Sequence, residues 1–297
     1  MRSKYYAAAI TAFAIWGMFS FVLRPLHAYP SHDILFYRIF TCVCLMVPLN
    51  LLLRRKQLKE SRAYFTSLTK TERTKLLWLT LLSSLMLVAN WFIFIYVMNH
   101  ISVTAASFAY MLCPILTTVL AYFILREKLT PLQWFAVFIS VSGCVLLSLG
   151  NYTGVFYSLL VAGSYALYLV LQKKFAGFDR FVLLSVQLAL TGLMLVPFYF
   201  IYSKNVPQEP VFYGYISLIA VGFTILPMFL NLFALKGIKS STLGILMYLN
   251  PLIGFGLSAF YYNEPITPKQ LFAYGLIVVS IVIFNIGSYL QARKNTA

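Results

Sequence analysis

Ten apolar runs of about twenty residues divide the chain, at 5–23, 33–53, 76–98, 103–125, 131–149, 152–172, 181–202, 211–235, 240–262 and 268–290. A helix rising 1.5 Å per residue needs about twenty residues to cross a hydrocarbon core of roughly 30 Å. The runs are apolar on every face and do not alternate with a period of two, which excludes the strands of a transmembrane barrel. Within lipid a helix satisfies its own backbone hydrogen bonds, so all ten runs are expected to be helical. With 61% of the 297 residues apolar and 10% charged, the chain reads as an all-α integral membrane protein. The first run follows a short basic stretch, as a signal peptide would. At about nineteen residues, with no small-x-small site after it, it reads instead as a retained helix.

The net charge of +16 does not point to nucleic acid, because Lys and Arg sit in the connections between runs, where they report orientation. With the N-terminus in the cytoplasm, nineteen basic residues fall on the inner face, eight of them between Arg54 and Lys75. The other side receives only Arg24, Lys204 and Lys269, with Arg38 just inside the second run. Both termini are therefore expected to be cytoplasmic. Cys42, Cys44, Cys113 and Cys144 fall within runs without His or carboxylate neighbours at ligand spacing, so they read as packing residues and no metal or cofactor is expected.

A second feature organises the ten runs. The segment Ser107 to Ala136 returns 137 positions later as Gly244 to Ala273, with ten of thirty positions identical in register. The matches include Pro114 with Pro251, Glu127 with Glu264, Thr130 with Thr267, Pro131 with Pro268 and Gln133 with Gln270. The chain thus reads as two five-helix repeats, 1–150 and 151–297. Five is odd, so the second copy must enter the membrane from the opposite side. Charge agrees with this: Glu127 is flanked by Arg126 and Lys128, whereas Glu264 is flanked by Asn263 and Pro265. Inverted repeats are a recurring architecture of secondary transporters, with the substrate near the midplane and helix interruptions at matching positions marking it. Pro114 and Pro251 are such a pair and read as hinges, each freeing a carbonyl one turn earlier; taken singly, either could be a packing kink.

Several stretches carry a family likeness: Tyr37, Arg38 and Ile39 opening the second run; Asn90 and Trp91 in the third; Asn99, Ser107, Tyr110 and Pro114; and STLGILMYLNP from Ser241 to Pro251, followed by Glu264 and Pro265. On these residues the chain resembles, over nearly its whole length, the ten-helix EamA branch of the drug/metabolite transporter superfamily, and within it the RarD-like proteins. Tyr37 departs from a usual histidine, Thr41 stands near a position where tryptophan is common, and Met247 replaces a glutamine. The resemblance implies an inner-membrane carrier, often an exporter, for small organic solutes that are amino-acid-like or drug-like.

All seven carboxylates, Asp33, Glu60, Glu72, Glu127, Asp179, Glu209 and Glu264, fall in connections or at run ends, which argues against a buried acidic proton relay. Arg38 is the ionisable side chain that comes closest to the interior. It could snorkel outward and pair with Asp33, or face a central cavity and attract a carboxylate or other anion with its planar donor array. His27, His32 and His100 all fall at the outer face, as solvated loop residues or a pH sensor. The polar and amphipathic residues within runs are the candidate substrate-binding set: Trp16, Asn90, Trp91, Tyr110, Tyr165, Tyr168, Asn231, Tyr248 and Asn250. Each asparagine must face protein or a cavity, since an amide facing lipid is costly, and each could equally be a structural interhelical donor. Tyr110 and Tyr248, within a turn of the paired prolines, stand out as a pair. Gly143, Gly163, Gly254 and Gly256 are expected where helices approach closely. The partners implied are a small solute and the lipid bilayer, with the chain a monomer or homodimer. A membrane enzyme would need a convergent catalytic set that the sequence does not contain, and a passive channel gains nothing from inversion.

Overall fold

A computed structural model describes residues 3–26, 28–100, 103–148, 152–175, 177–203, 206–261 and 268–294, and no strand occurs among them. Each apolar run is helical over most of its described length. Helix α1 (Ser3–Gly17) continues through α2 (Ser20–Leu23) into a 3-10 turn. There follow α3 (Ser31–Leu52), α4 (Arg55–Ser67), α5 (Lys70–His100), α6 (Val103–Leu125), α7 (Pro131–Ser148), α8 (Tyr152–Gln172) and α9 (Arg180–Tyr202). The next run is split into α10 (Pro210–Ala220), a π turn at Val221–Ile225 and α11 (Leu226–Ala234). The ninth divides into α12 (Ser240–Leu246), α13 (Leu249–Gly256) and a π turn at Leu257–Tyr261, and α14 (Pro268–Lys294) closes the chain.

Among the described residues six helical stretches are long and apolar enough to cross a membrane: Ser3–Leu26, Ser31–Leu52, Lys70–Phe94, Arg180–Tyr202, Pro210–Ala234 and Leu271–Gln291. Shorter apolar helices occupy Ala109–Leu125, Pro131–Leu146 and Phe156–Gln172. The outer surface matches a hydrocarbon solvent: Phe138, Leu193 and Phe200 are 65%, 69% and 77% exposed. This is a multi-pass membrane protein. The segment 54–75, basic throughout, is not a loop but holds α4, built from good helix formers such as Lys56, Gln57, Leu58 and Glu60. Tyr64 anchors it edge-to-face on Phe178, over Gly177, where any side chain would collide with the ring.

The repeated letters at the ends of runs have a local explanation. Thr130 and Gln133 form a reciprocal capping box at the start of α7: the Thr130 amide donates to Gln133 Oε1 at 2.8 Å, and the Gln133 amide donates to Thr130 Oγ1 at 3.3 Å. Pro131 lies at the first helical position, where its missing N–H costs nothing. Thr69 and Glu72 cap α5 in the same way. Asp179 caps α9, accepting from the amides of Phe181 and Val182 at 3.0 Å each.

The helices pack in a definite set of pairs. Helix α6 lies against α8 and α12, α5 against α8 and α9, and α1 against α11 and α13; α3 lies against α9 and α10, and α7 against α14. Three of the four glycines expected at close approaches are not used for them, and other glycines are. A side chain at Gly17 would strike Ile253, and one at Gly244 would press on Thr117 and the Pro114 carbonyl; Gly163, Gly254 and Gly256 face open space. Pro114 lies within the continuous α6 and does not interrupt it, whereas Pro251 follows a real break at Met247–Tyr248.

Candidate functional site

The site begins at the π turn. Widening one turn of the tenth helix displaces its carbonyls from regular pairing, and in a membrane interior they must find donors within the protein. Three side chains supply them, two from other helices and one from the turn itself. Trp16 Nε1 donates to the Phe223 carbonyl at 2.9 Å, Thr224 Oγ1 donates to Ile219 at 2.9 Å, and Cys42 Sγ lies 3.6 Å from the Ala220 carbonyl. The turn therefore ties α1 and α3 to the second half of the chain.

An aromatic and polar cluster extends from this junction. Trp16 meets Tyr165 edge-on at 6.2 Å, and Tyr165 stacks on Tyr168 at 5.8 Å. Asn231 Nδ2 donates to the Tyr165 hydroxyl at 3.2 Å, while its Oδ1 is buried without a partner. On the other side, the Arg38 guanidinium lies over the Trp91 ring at 4.7 Å and within 5.9 Å of Phe19, with Cys42 and Tyr110 alongside. Tyr110 in turn packs against Phe94 at 5.2 Å. Arg38 makes no ion pair with Asp33. The latter is buried beside His32 at 3.8 Å, so the outward snorkelling arrangement is not adopted. A cation over a tryptophan face is attracted by the ring quadrupole, but that attraction does not replace a counter-charge.

Of the residues singled out from sequence, Trp16, Arg38, Trp91, Tyr110, Tyr165 and Asn231 come together in this cluster, with Tyr168 at its edge. Others do not. Asn90 donates to the Val161 carbonyl at 2.8 Å and serves as a bridge between α5 and α8. Tyr248 is fully buried in a separate apolar cluster with Met111, Ile115, Cys144 and Phe284, so it does not form a pair with Tyr110. Asn250 stands on α13 where its backbone carbonyl meets Gly17 of α1. Cys42, Cys113 and Cys144 are buried as expected of packing residues, but Cys44 is exposed. Glu264 and His27 lie outside the described residues, and His100 is the last residue of α5. Sequence reading missed Phe19, Cys42, Phe223 and Thr224; the only local signal was the Gly222-Phe223-Thr224 interruption within an apolar run.

A second polar region lies at the basic end of the bundle, and there several partly buried ionic groups have partners. Glu127 accepts from the amides of Ser240 and Ser241 at 2.9 and 3.1 Å and from the Ser241 hydroxyl at 2.6 Å, fastening the α6–α7 connection to the start of α12. Arg54 pairs with Asp179 at 3.1 Å. Lys173 donates to the carbonyls of Leu235 and Ile238, and burial lowers its pKa while nearby Glu127 acts against that shift. Arg180 binds the Gln172 carbonyl at 3.0 Å, beside a chain running Tyr168, Gln187 and Gln172.

Comparison with known proteins fits this geometry. The model of the EamA-like transporter family matches the chain twice, over residues 3–149 and 152–286. An uncharacterised transporter of Bacillus subtilis, YojE, is 30% identical over 96% of this chain and 94% of its own length. The RarD protein of Escherichia coli is 24% identical over 97% and 96%, and an uncharacterised transporter of Vibrio cholerae is 28% identical over 94% and 90%. A solved crystal structure covers 100% of both chains with a TM-score of 0.74 at 16% identity, which speaks to the fold alone. The protein belongs to the EamA-like transporter family, and it is a membrane transporter of the RarD-like kind within the drug/metabolite transporter superfamily.

Proposed function

We propose that the protein is a secondary carrier, working as an exporter, that moves a small organic solute across the bacterial inner membrane by alternating access. Its ten spans form two inverted five-helix halves, 1–150 and 151–297, with both termini and the basic end in the cytoplasm. One observation supports this above the rest. When each apolar run is exchanged with the run five places along, the helix pairs map onto one another: α6 on α8 becomes α13 on α1, α5 on α8 becomes α11 on α1, and α5 on α9 becomes α10 on α3. The pairs α3 with α9, α7 with α14 and α6 with α12 map onto themselves. A bundle with this exchange symmetry can swap the conformations of its halves and so turn its centre from one face to the other.

The substrate site in this reading is the central cluster of Trp16, Arg38, Trp91, Tyr110, Tyr165 and Asn231, to which both halves contribute. The break before Pro251 and the π turn at Val221–Ile225 supply the bending points, and Pro114 acts as the fixed wall that α12 slides along. Counterflow in proteoliposomes is the test. Preloaded unlabelled solute should accelerate uptake of the labelled form, and Tyr110→Ala should reduce it without loss of folded protein. Uptake that is linear in concentration and indifferent to preloading would instead describe a channel.

A further inference from the structure

Arg38 poses a question that packing does not answer. An ionised side chain within a membrane bundle is expensive unless a partner compensates it, and such residues mark the path of an ion or substrate. The chain has seven carboxylates, and the described ones are committed elsewhere or remote. Asp33 lies beside His32, Glu127 caps α12, Asp179 pairs with Arg54, and Glu209 accepts from Tyr29 at 2.5 Å. Glu60 and Glu72 are exposed on α4 and α5. Arg38 makes neither a hydrogen bond nor an ion pair among the described residues, and its Nε is buried without an acceptor. The residue as a whole keeps partial accessibility, with Trp91, Phe19, Cys42 and Tyr110 around its guanidinium. The guanidinium carbon lies over the Trp91 ring and no acceptor among the described residues takes its N–H groups, a planar donor array suited to receiving an oxyanion through two parallel hydrogen bonds.

We propose that the transported solute is an aromatic or similarly flat organic monoanion, its carboxylate or sulfonate held by Arg38 and its apolar body lying against Trp16, Trp91 and Tyr165. This rests on the carrier reading and narrows its substrate class. One positive charge with no acidic neighbour among the described residues is neutralised by one negative charge. A dianion leaves a charge over, a cation is repelled, and a zwitterionic amino acid brings an ammonium for which the cluster has no carboxylate. The aromatic walls favour a flat body, because ring edges and faces pack at the centroid separations already present.

The full-length protein in lipid nanodiscs, probed by intrinsic tryptophan fluorescence and by thermal shift, decides the matter with benzoate, benzenesulfonate, benzamide, benzylammonium and phenylalanine as ligands. Of the four tryptophans, Trp16 and Trp91 lie in the cluster, so occupancy should change their share of the emission. Benzoate or benzenesulfonate should bind at least tenfold more tightly than benzamide, benzylammonium or phenylalanine. Arg38→Gln should weaken binding of those anions about tenfold to a hundredfold, the range expected for losing charged hydrogen bonds, with folded yield and melting temperature at or above those of the wild type. Arg38→Lys, which keeps the charge but not the fork, should fall between the two, and it serves as the deciding variant if the glutamine form does not fold. Benzamide binding as tightly as benzoate, an Arg38→Gln variant that retains wild-type anion affinity, or an absence of binding by both anions would overturn the proposal. Benzenesulfonate flux in proteoliposomes separates the two readings. Anion binding that depends on Arg38 without any flux overturns the carrier and leaves the anion site standing, whereas flux with no preference for anions overturns the anion site alone.

Discussion

The basic end of the bundle and its centre handle charge in opposite ways. At the basic end the partly buried ionic groups Glu127, Asp179 and Lys173 have partners: Glu127 holds the start of α12, Asp179 holds both Arg54 and the first amides of α9, and Lys173 donates to two carbonyls. At the centre Arg38 has aromatic faces and no counter-charge. Matched charges fasten helices together, and their removal should show in stability. An unmatched one adds nothing to stability that a neutral group would not, so its removal should show in binding and transport.

That contrast can be broken by paired measurements. The largest effect should come from Arg38→Gln, which is expected to cut transport about tenfold to a hundredfold while leaving unfolding in detergent unchanged or improved; a large stability loss with normal transport would reverse the comparison. Glu127→Ala should do the opposite, costing roughly 2–3 kcal/mol of stability as three hydrogen bonds to a carboxylate are lost, measured by denaturation of the purified protein. Asp179→Ala removes a helix cap and a half-exposed ion pair and should cost about 1–2 kcal/mol. Tyr248→Phe should be close to neutral in both stability and transport, because the Tyr248 hydroxyl faces Ser140 without a hydrogen bond of regular geometry; a transport defect there would move the site toward α7 and α14. The smallest effect concerns Glu72. Its hydrogen bonds to Thr69 lower its pKa below the usual carboxylate value, so the cap on α5 should be in place above that value and be lost as pH falls through the lowered one. Helix protection at residues 70–74 measured by hydrogen exchange should decline on acidification in the wild type and not in Glu72→Gln.

Much of the architecture was legible because a bilayer leaves few choices. Runs of twenty apolar residues become helices, and Thr130 and Gln133 stand three residues apart because a capping box needs those letters at that spacing. Arg38 was legible for the same reason, since an ionisable residue inside a run is rarely idle. What sequence did not reveal was direction around the helix. Proximity to Pro114 and Pro251 fixes the depth of Tyr110 and Tyr248 but not their azimuth, and the two side chains enter different clusters. Phe223 and Thr224 were hard to see because the run is apolar on every face, so the extra residue of a π turn shifts the side-chain phase without leaving a visible break in the pattern. The glycines misled for a related reason: Gly254 and Gly256 have the composition of a contact stripe, yet the close approaches are made at Gly17 and Gly244.

The account turns on two halves that cross the membrane in opposite senses and share one centre. Single cysteines placed at Glu127 and at Glu264 in a cysteine-free background, treated in intact cells with a membrane-impermeant maleimide, test this most directly. The expected result is labelling at position 264 from outside and at position 127 only after the membrane is opened. Labelling of both positions from the same side would contradict the inverted arrangement and the alternating access built on it.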